Sequence, residues 1–154
     1  MLLLHLAQDG AQEVVHHDRL LFVVCRQERH RFVRACHRTR EPTLPTLPVE
    51  GAEPKDGDLV LERARMSSFH GTQLDIWLRN LGIDTVIVTG VHTCHAVNGT
   101  ARAAADHGYR VVLASDATAS MSAEWQEMDL KTGLTNIAEI AYTTTIAKAL
   151  ASVK

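Results

Sequence analysis

The residue pattern predicts a three-layer α/β/α sandwich around a mostly parallel sheet of about six strands. Three observations support this. Short runs rich in Val, Ile and Leu alternate with stretches at helical spacing along most of the chain, the order expected of an α/β fold. The stretch Gly82 to Thr118 reads as strand, turn, helix and strand in direct succession, and a right-handed crossover makes two such strands parallel. The chain has 154 residues, 45% hydrophobic and 22% charged, which is enough for one domain with its own core.

Residues 2–6 are a brief apolar run that predicts a first buried strand, broken by Gln8-Asp9-Gly10. Residues 11–18 suit a short helix, and Leu20-Leu21-Phe22-Val23-Val24-Cys25 is a buried strand by its unbroken apolar run. A basic run follows, with Arg26, Arg29, Arg31, Arg34, Arg38, Arg40, His30 and His37 set against Glu28. It reads as a solvated loop or helix face. A phosphate-binding patch is the alternative, but no aromatic ladder accompanies the arginines, so nucleic acid is not the expected partner. All 4 prolines lie between Pro42 and Pro54, which makes that segment an extended surface connection.

Asp58 to Glu62 predicts a strand, followed by an irregular polar segment from Arg63 to His70. Thr72, with Asp75 three residues on, resembles a capping box. Leu74, Trp77, Leu78 and Leu81 then share one helix face, and Gly82 ends the helix. Ile83 to Gly90 is a strand ending on glycine, Val91 to His95 a turn, Ala96 to His107 a helix stopped by Gly108, and Tyr109 to Ala114 a second strand. Ser120 or Ser122 caps a helix that runs to about Gly133. Ile137 to Ala141 is a last short strand, and Thr143 or Thr144 opens a closing helix through Leu150. No internal repeat is present. Ligands in open parallel sheets bind outside the carboxyl ends of the strands, so chemistry is expected at the turn 91–95.

A formal net charge of -2 gives no reason to expect nucleic acid or an acidic membrane as partner. The 3 cysteines, Cys25, Cys36 and Cys94, are an odd number without metal-ligand spacing. That pattern fits a reducing compartment, so a cytoplasmic protein without metal or other cofactor is expected. The apolar start is too short to span a membrane.

Several separate pieces carry a family resemblance. They are Ser68-Phe69-His70-Gly71-Thr72-Gln73-Leu74-Asp75, Leu81-Gly82-Ile83-Asp84, Thr89-Gly90-Val91, Thr100-Ala101-Arg102, Gly108-Tyr109-Arg110-Val111 and Ser115-Asp116-Ala117. In this order they resemble the isochorismatase-like cysteine hydrolases, a Rossmann-like superfamily that includes nicotinamidases, N-carbamoylsarcosine amidohydrolases and isochorismatases. The match is dense over residues 56–119 and looser over 120–150. Residues 1–50 are atypical, as in a truncated or rearranged relative, within a single domain spanning 1–154. The resemblance implies hydrolysis of a small amide or vinyl-ether substrate, and homo-oligomers are common among such proteins.

Family members use an Asp after the first strand, a Lys after a later one and a Cys where a helix begins. The thiolate attacks, the helix N-terminus and a nearby cation favour it, the Asp moves the proton, and amides of the turn hold the oxyanion. Carried onto this chain, the acid position falls on Leu6, the lysine position on Arg63 and the nucleophile position on Ala96. Ala96 has no nucleophilic atom, and an arginine cannot exchange its proton near neutral pH. The cis peptide common in the family would correspond to Val91-His92.

Cys94, flanked by His92 and His95, becomes the candidate nucleophile, with Arg63 as an anion clamp and Asp9 as a substitute acid. Val91, His92, His95 and Phe69 are the candidate substrate contacts. The bland reading of Cys94 is a small residue filling the turn. Loss of the cysteine also matches the isochorismatase branch, which protonates a vinyl ether and needs an acid. The alternative to an enzyme is a catalytically inactive member that serves as a binding or assembly module.

Overall fold

The computed structural model describes residues 20–26, 31–37, 56 and 58–152, the first two segments through their strand pairing alone. The described strands form one 6-stranded sheet. They are β1 (Leu20–Arg26), β2 (Arg31–His37), β3 (Leu59–Arg63), β4 (Thr85–Val91), β5 (Arg110–Ala119) and β6 (Glu139–Ala141), in the order β3-β2-β1-β4-β5-β6. Helices α1 (Leu74–Asn80), α2 (Asn98–Asp106), α3 (Ala123–Met128) and α4 (Thr143–Ser152) lie between and after the later strands. The predicted strand 2–6, the helix 11–18 and the proline segment fall outside the described residues.

β4 pairs parallel with β5, β5 with β6, and β2 with β3. β1 is antiparallel to both of its neighbours, β2 and β4. For β2 the reason is in the spacing: only residues 27–30 separate it from β1, too few for the crossover that parallel strands require. The basic run is corrected at the same place. Arg31 to His37 is neither loop nor helix face but β2, paired with β1 on one side and β3 on the other.

The core forms where β4 and β5 are covered. Successive strand residues point to opposite faces. On one face Val86, Val88, Val111 and Leu113 pack with Leu74 and Leu78 of α1 and Val97, Ala101 and Ala104 around α2. On the other, Ile87 and Ala114 pack with Ile146 of α4. Burial of both faces explains why β4 is apolar without alternation. Ala101 and Ala104 are fully buried, and their short side chains let α2 lie close to the sheet.

Side-chain oxygens set the starts of α3 and α4. Ser122 Oγ accepts from Trp125 N at 3.2 Å and caps α3. Asp116, within β5, accepts from Thr143 N at 2.8 Å and from Thr143 Oγ1 at 2.7 Å, which fixes the start of α4. Thr72 departs from the expected capping box. α1 begins at Leu74 with Gln73 at the N-cap and no side-chain cap, while Thr72 Oγ1 donates to Ser68 O at 2.5 Å and accepts from Leu74 N at 3.3 Å. Its hydroxyl therefore folds the preceding turn instead of closing a reciprocal cap.

Candidate active site

The site is built at the carboxyl ends of β3, β4 and β5. At the end of β4, Gly90 has φ +114°, a backbone conformation that side chains with a Cβ rarely adopt. The register with β5 shifts there, between Val88 and Gly90. The Val91-His92 peptide bond is cis. His92 is extended, with φ -93° and ψ 145°. Thr93–Val97 then form a wide helical turn that leads directly into α2.

This turn is held mostly by its own backbone. His92 O accepts from His95 N at 3.1 Å and from Val97 N at 3.2 Å. Cys94 N donates to Ser120 Oγ at 3.3 Å, which ties the turn to the end of β5. These three amides are thus engaged inside the protein, which narrows the set of turn amides that an oxyanion could use.

Cys94 is a free, half-buried thiol, and its Sγ lies 3.2 Å from His95 Nδ1. The His92 and His95 rings meet edge-on with centroids 6.5 Å apart, and Trp125 of α3 approaches His95 at 6.2 Å. Ala96 sits in the same turn at 7% exposure. The structure therefore brings Val91, His92, Cys94, His95 and Ala96 together as one continuous turn. Among the described residues no group of three His, Cys, Asp or Glu is placed to hold a metal.

Arg63 ends β3 and is 2% exposed. Its Nη1 donates to Arg65 O at 2.5 Å and Met66 O at 2.9 Å, so the guanidinium organises the loop that follows it. That loop is fastened to α2: Ser68 N donates to Thr100 Oγ1 at 3.0 Å. A Cβ built on Gly99 would stand 3.6 Å from Ser67 N and 3.7 Å from Met66 Cβ, so the loop lies directly on the first turn of α2. Phe69, at 8% exposure, belongs to the core. Its ring stacks on His107 at 5.0 Å and tilts against Tyr109 at 5.8 Å, contacts with the far end of α2. Asp9 and Leu6 lie outside the described residues.

Two residues of this region were not legible as site residues. Ser120 reads in the sequence only as one of two alternative helix caps, although its hydroxyl accepts from the Cys94 amide. Trp125 carries no local signal, since its sequence neighbours Glu124 and Gln126 mark an ordinary solvated helix.

The isochorismatase domain model matches residues 11–146. This chain belongs to the isochorismatase family. It is 38% identical over 77 residues to the isochorismatase family protein YwoC of Bacillus subtilis, covering 50% of this chain and 41% of that protein. It is 40% identical over 60 residues to an N-carbamoylsarcosine amidase of Arthrobacter sp, covering 39% and 23%. The chain thus aligns to less than half the length of these relatives. Among solved structures, an isochorismatase-like hydrolase from Alkaliphilus metalliredigens superposes with TM-score 0.67 at 29% identity, covering 77% of this chain and 69% of that one. The nicotinamidase of Staphylococcus aureus gives TM-score 0.54 at 29% identity, covering 60% of each chain. No helix among the described residues is long and apolar enough to cross a membrane.

Proposed function

We propose that this isochorismatase-family member is a hydrolase of small amides in which Cys94 is the nucleophile and His95 its proton acceptor and donor. The observation that carries this reading is the 3.2 Å approach of Cys94 Sγ to His95 Nδ1. A thiol needs an adjacent base to act as a nucleophile, and a pair within hydrogen-bond reach supplies it. The half-buried thiol sits on the turn between β4 and α2, at the strand ends where parallel sheets bind ligands.

In the reaction, Cys94 Sγ attacks the carbonyl carbon of the amide and passes its proton to His95 Nδ1. The C–N bond breaks, the amine leaves with that proton, and a thioester remains on Cys94. Water then attacks the thioester and gives a proton to His95. The thioester C–S bond breaks, the acid departs, and His95 returns the proton to the sulfur. Val91 and His92 line the approach. Arg63 acts as a positioning residue, holding the β3 loop against α2 and keeping a fixed positive charge in that loop. Phe69 stays in the core, against His107 and Tyr109.

A second reading is favoured by Ala96. It occupies the position where the family resemblance implies the catalytic cysteine, and it is buried at 7% exposure with no reactive atom. On that reading the crevice keeps its shape and binds a ligand without turning it over. Steady-state hydrolysis of nicotinamide and an N-carbamoyl amino acid separates the two. Turnover that falls at least about a hundredfold in both Cys94→Ser and His95→Gln supports the enzyme. No turnover by the unaltered protein across the panel overturns it and leaves the binding module.

A further inference from the structure

We infer that Trp125 sets substrate shape beside Cys94, as a wall on which a flat conjugated acyl group stacks; this deepens the hydrolase reading and rests on its placement of the site. Helix α3 packs unlike the other helices. None of its residues is buried, so it adds nothing to either core, yet polar bonds fasten it through Gln126 and through both of its flanks. Gln126 Nε2 donates to Thr118 O at 3.1 Å and to Thr118 Oγ1 at 3.2 Å, on β5. Beyond the far end, Asn98 Nδ2 donates to Asp129 Oδ1 at 2.8 Å, and Arg102 Nη2 donates to Gly133 O at 2.6 Å. Ser120, just before the helix, receives the Cys94 amide. Each of these bonds joins α3 or its flanks to β5, to the Cys94 turn or to α2. Together they hold a helix with no packing role in a fixed place beside the reactive turn.

Trp125 is the side chain that this arrangement presents. Its backbone amide is pinned by the Ser122 cap, and its ring lies 6.2 Å from that of His95 at an interplanar angle of 52°. A tilt of that size leaves the indole face largely uncovered by the imidazole, and the residue is 48% exposed. An indole so exposed forgoes much of the burial that usually stabilises aromatic side chains. Its open face is what a planar ligand would cover, and offset stacking gives such a ligand a geometric preference that a compact aliphatic one lacks.

The test uses benzamide and acetamide, which share a carboxamide and differ by the flat ring. Trp77→Phe leaves Trp125 as the sole tryptophan of the 2 present, and adding Cys94→Ser removes any reaction during titration. Benzamide is expected to quench Trp125 emission saturably in this variant, and acetamide at equal concentration is not. In the otherwise unaltered chain, benzamide is expected to slow alkylation of the Cys94 peptide by iodoacetamide. Trp125→Ala should then require roughly tenfold more benzamide for the same protection, and Trp125→Phe no more than about threefold more.

Equal protection by benzamide and acetamide, or unchanged protection in Trp125→Ala, overturns the inference, and Trp125→Phe guards against a loss caused by misfolding. The outcomes separate from those for hydrolysis. Quenching and protection without turnover uphold Trp125 while the nucleophile reading fails. Turnover that does not distinguish flat from compact amides upholds Cys94 and overturns Trp125.

Discussion

Ser68 and Thr100 stand 32 positions apart, and the backbone amide of the first donates to the hydroxyl of the second at 3.0 Å with both residues fully buried. With the bond that Thr100 Oγ1 donates to Ser68 Oγ at 3.4 Å, it ties the loop after β3 to the first turn of α2, and so sets Arg63 and the Cys94 turn in one frame. Thr100→Val keeps the shape of the side chain but strands the Ser68 amide without its acceptor. We expect a loss of about 1–3 kcal/mol, measured as a lower urea midpoint with unchanged slope. An unchanged midpoint would mean that the loop is held by other means.

Acid should expose a second fastening. Asp75 on α1 accepts from the Tyr109 hydroxyl at 2.7 Å and pairs with Arg79 at 3.1 Å, with His107 Nδ1 at 3.6 Å. The Tyr109 hydrogen bond, then Arg79 and His107, hold its carboxyl below the usual 3.8. A carboxylate lowered on folding contributes stability that is present above its unfolded value and lost as pH falls through the folded one. Asp75→Asn should therefore be less stable than the unaltered chain at pH 7, with the gap closing as pH drops below about 4. Thermal melts across that range check it, and a gap that stays constant would contradict it.

Leu78 is fully buried between α1 and the sheet. Leu78→Ala should cost about 2–5 kcal/mol through lost burial and the cavity left behind. The measurement is chemical denaturation, and a loss below about 1 kcal/mol would show that this face of the core collapses around the missing atoms.

The α3 segment should loosen independently of the core. Asp129→Ala removes the acceptor of Asn98, at the junction between α3 and α2. Amide hydrogen exchange over residues 120–133 is expected to quicken while that of β4 and β5 stays unchanged, since low-burial segments open locally. Uniform acceleration across the sheet would count against a separately fastened segment.

Much of the frame was legible in the residues because its signals are local. The unit from Ile83 to Ala114 could be read from apolar runs, the break at Gly108 and the turn at 91–95, and the strand, turn, helix and strand stand where expected. The Ser122 cap was readable for the same reason. β2 was not, because six arginines in and around it gave a solvated look, and what makes Arg31–His37 a strand is pairing on both sides, with β1 just before it and with β3, more than twenty residues further on. The direction of β1 was missed although its cue was present, in the short gap before β2. At the site, the positions of Cys94 and His95 followed from the motif. The engagement of the Cys94 amide by Ser120 and the approach of Trp125 depend on how the end of β5 folds back over the turn, which no nearby residue encodes.

A cysteine hydrolase of this design carries the acyl group on Cys94 during turnover. Incubation with a small reactive amide or ester, rapid acid quench and mass analysis of the peptide containing Cys94 measures this directly. We predict an acyl adduct on Cys94 that forms and decays at the rate of turnover, and that is absent in Cys94→Ser together with the activity. Full turnover by Cys94→Ser, or activity that arises only in Ala96→Cys with its adduct at position 96, would contradict it.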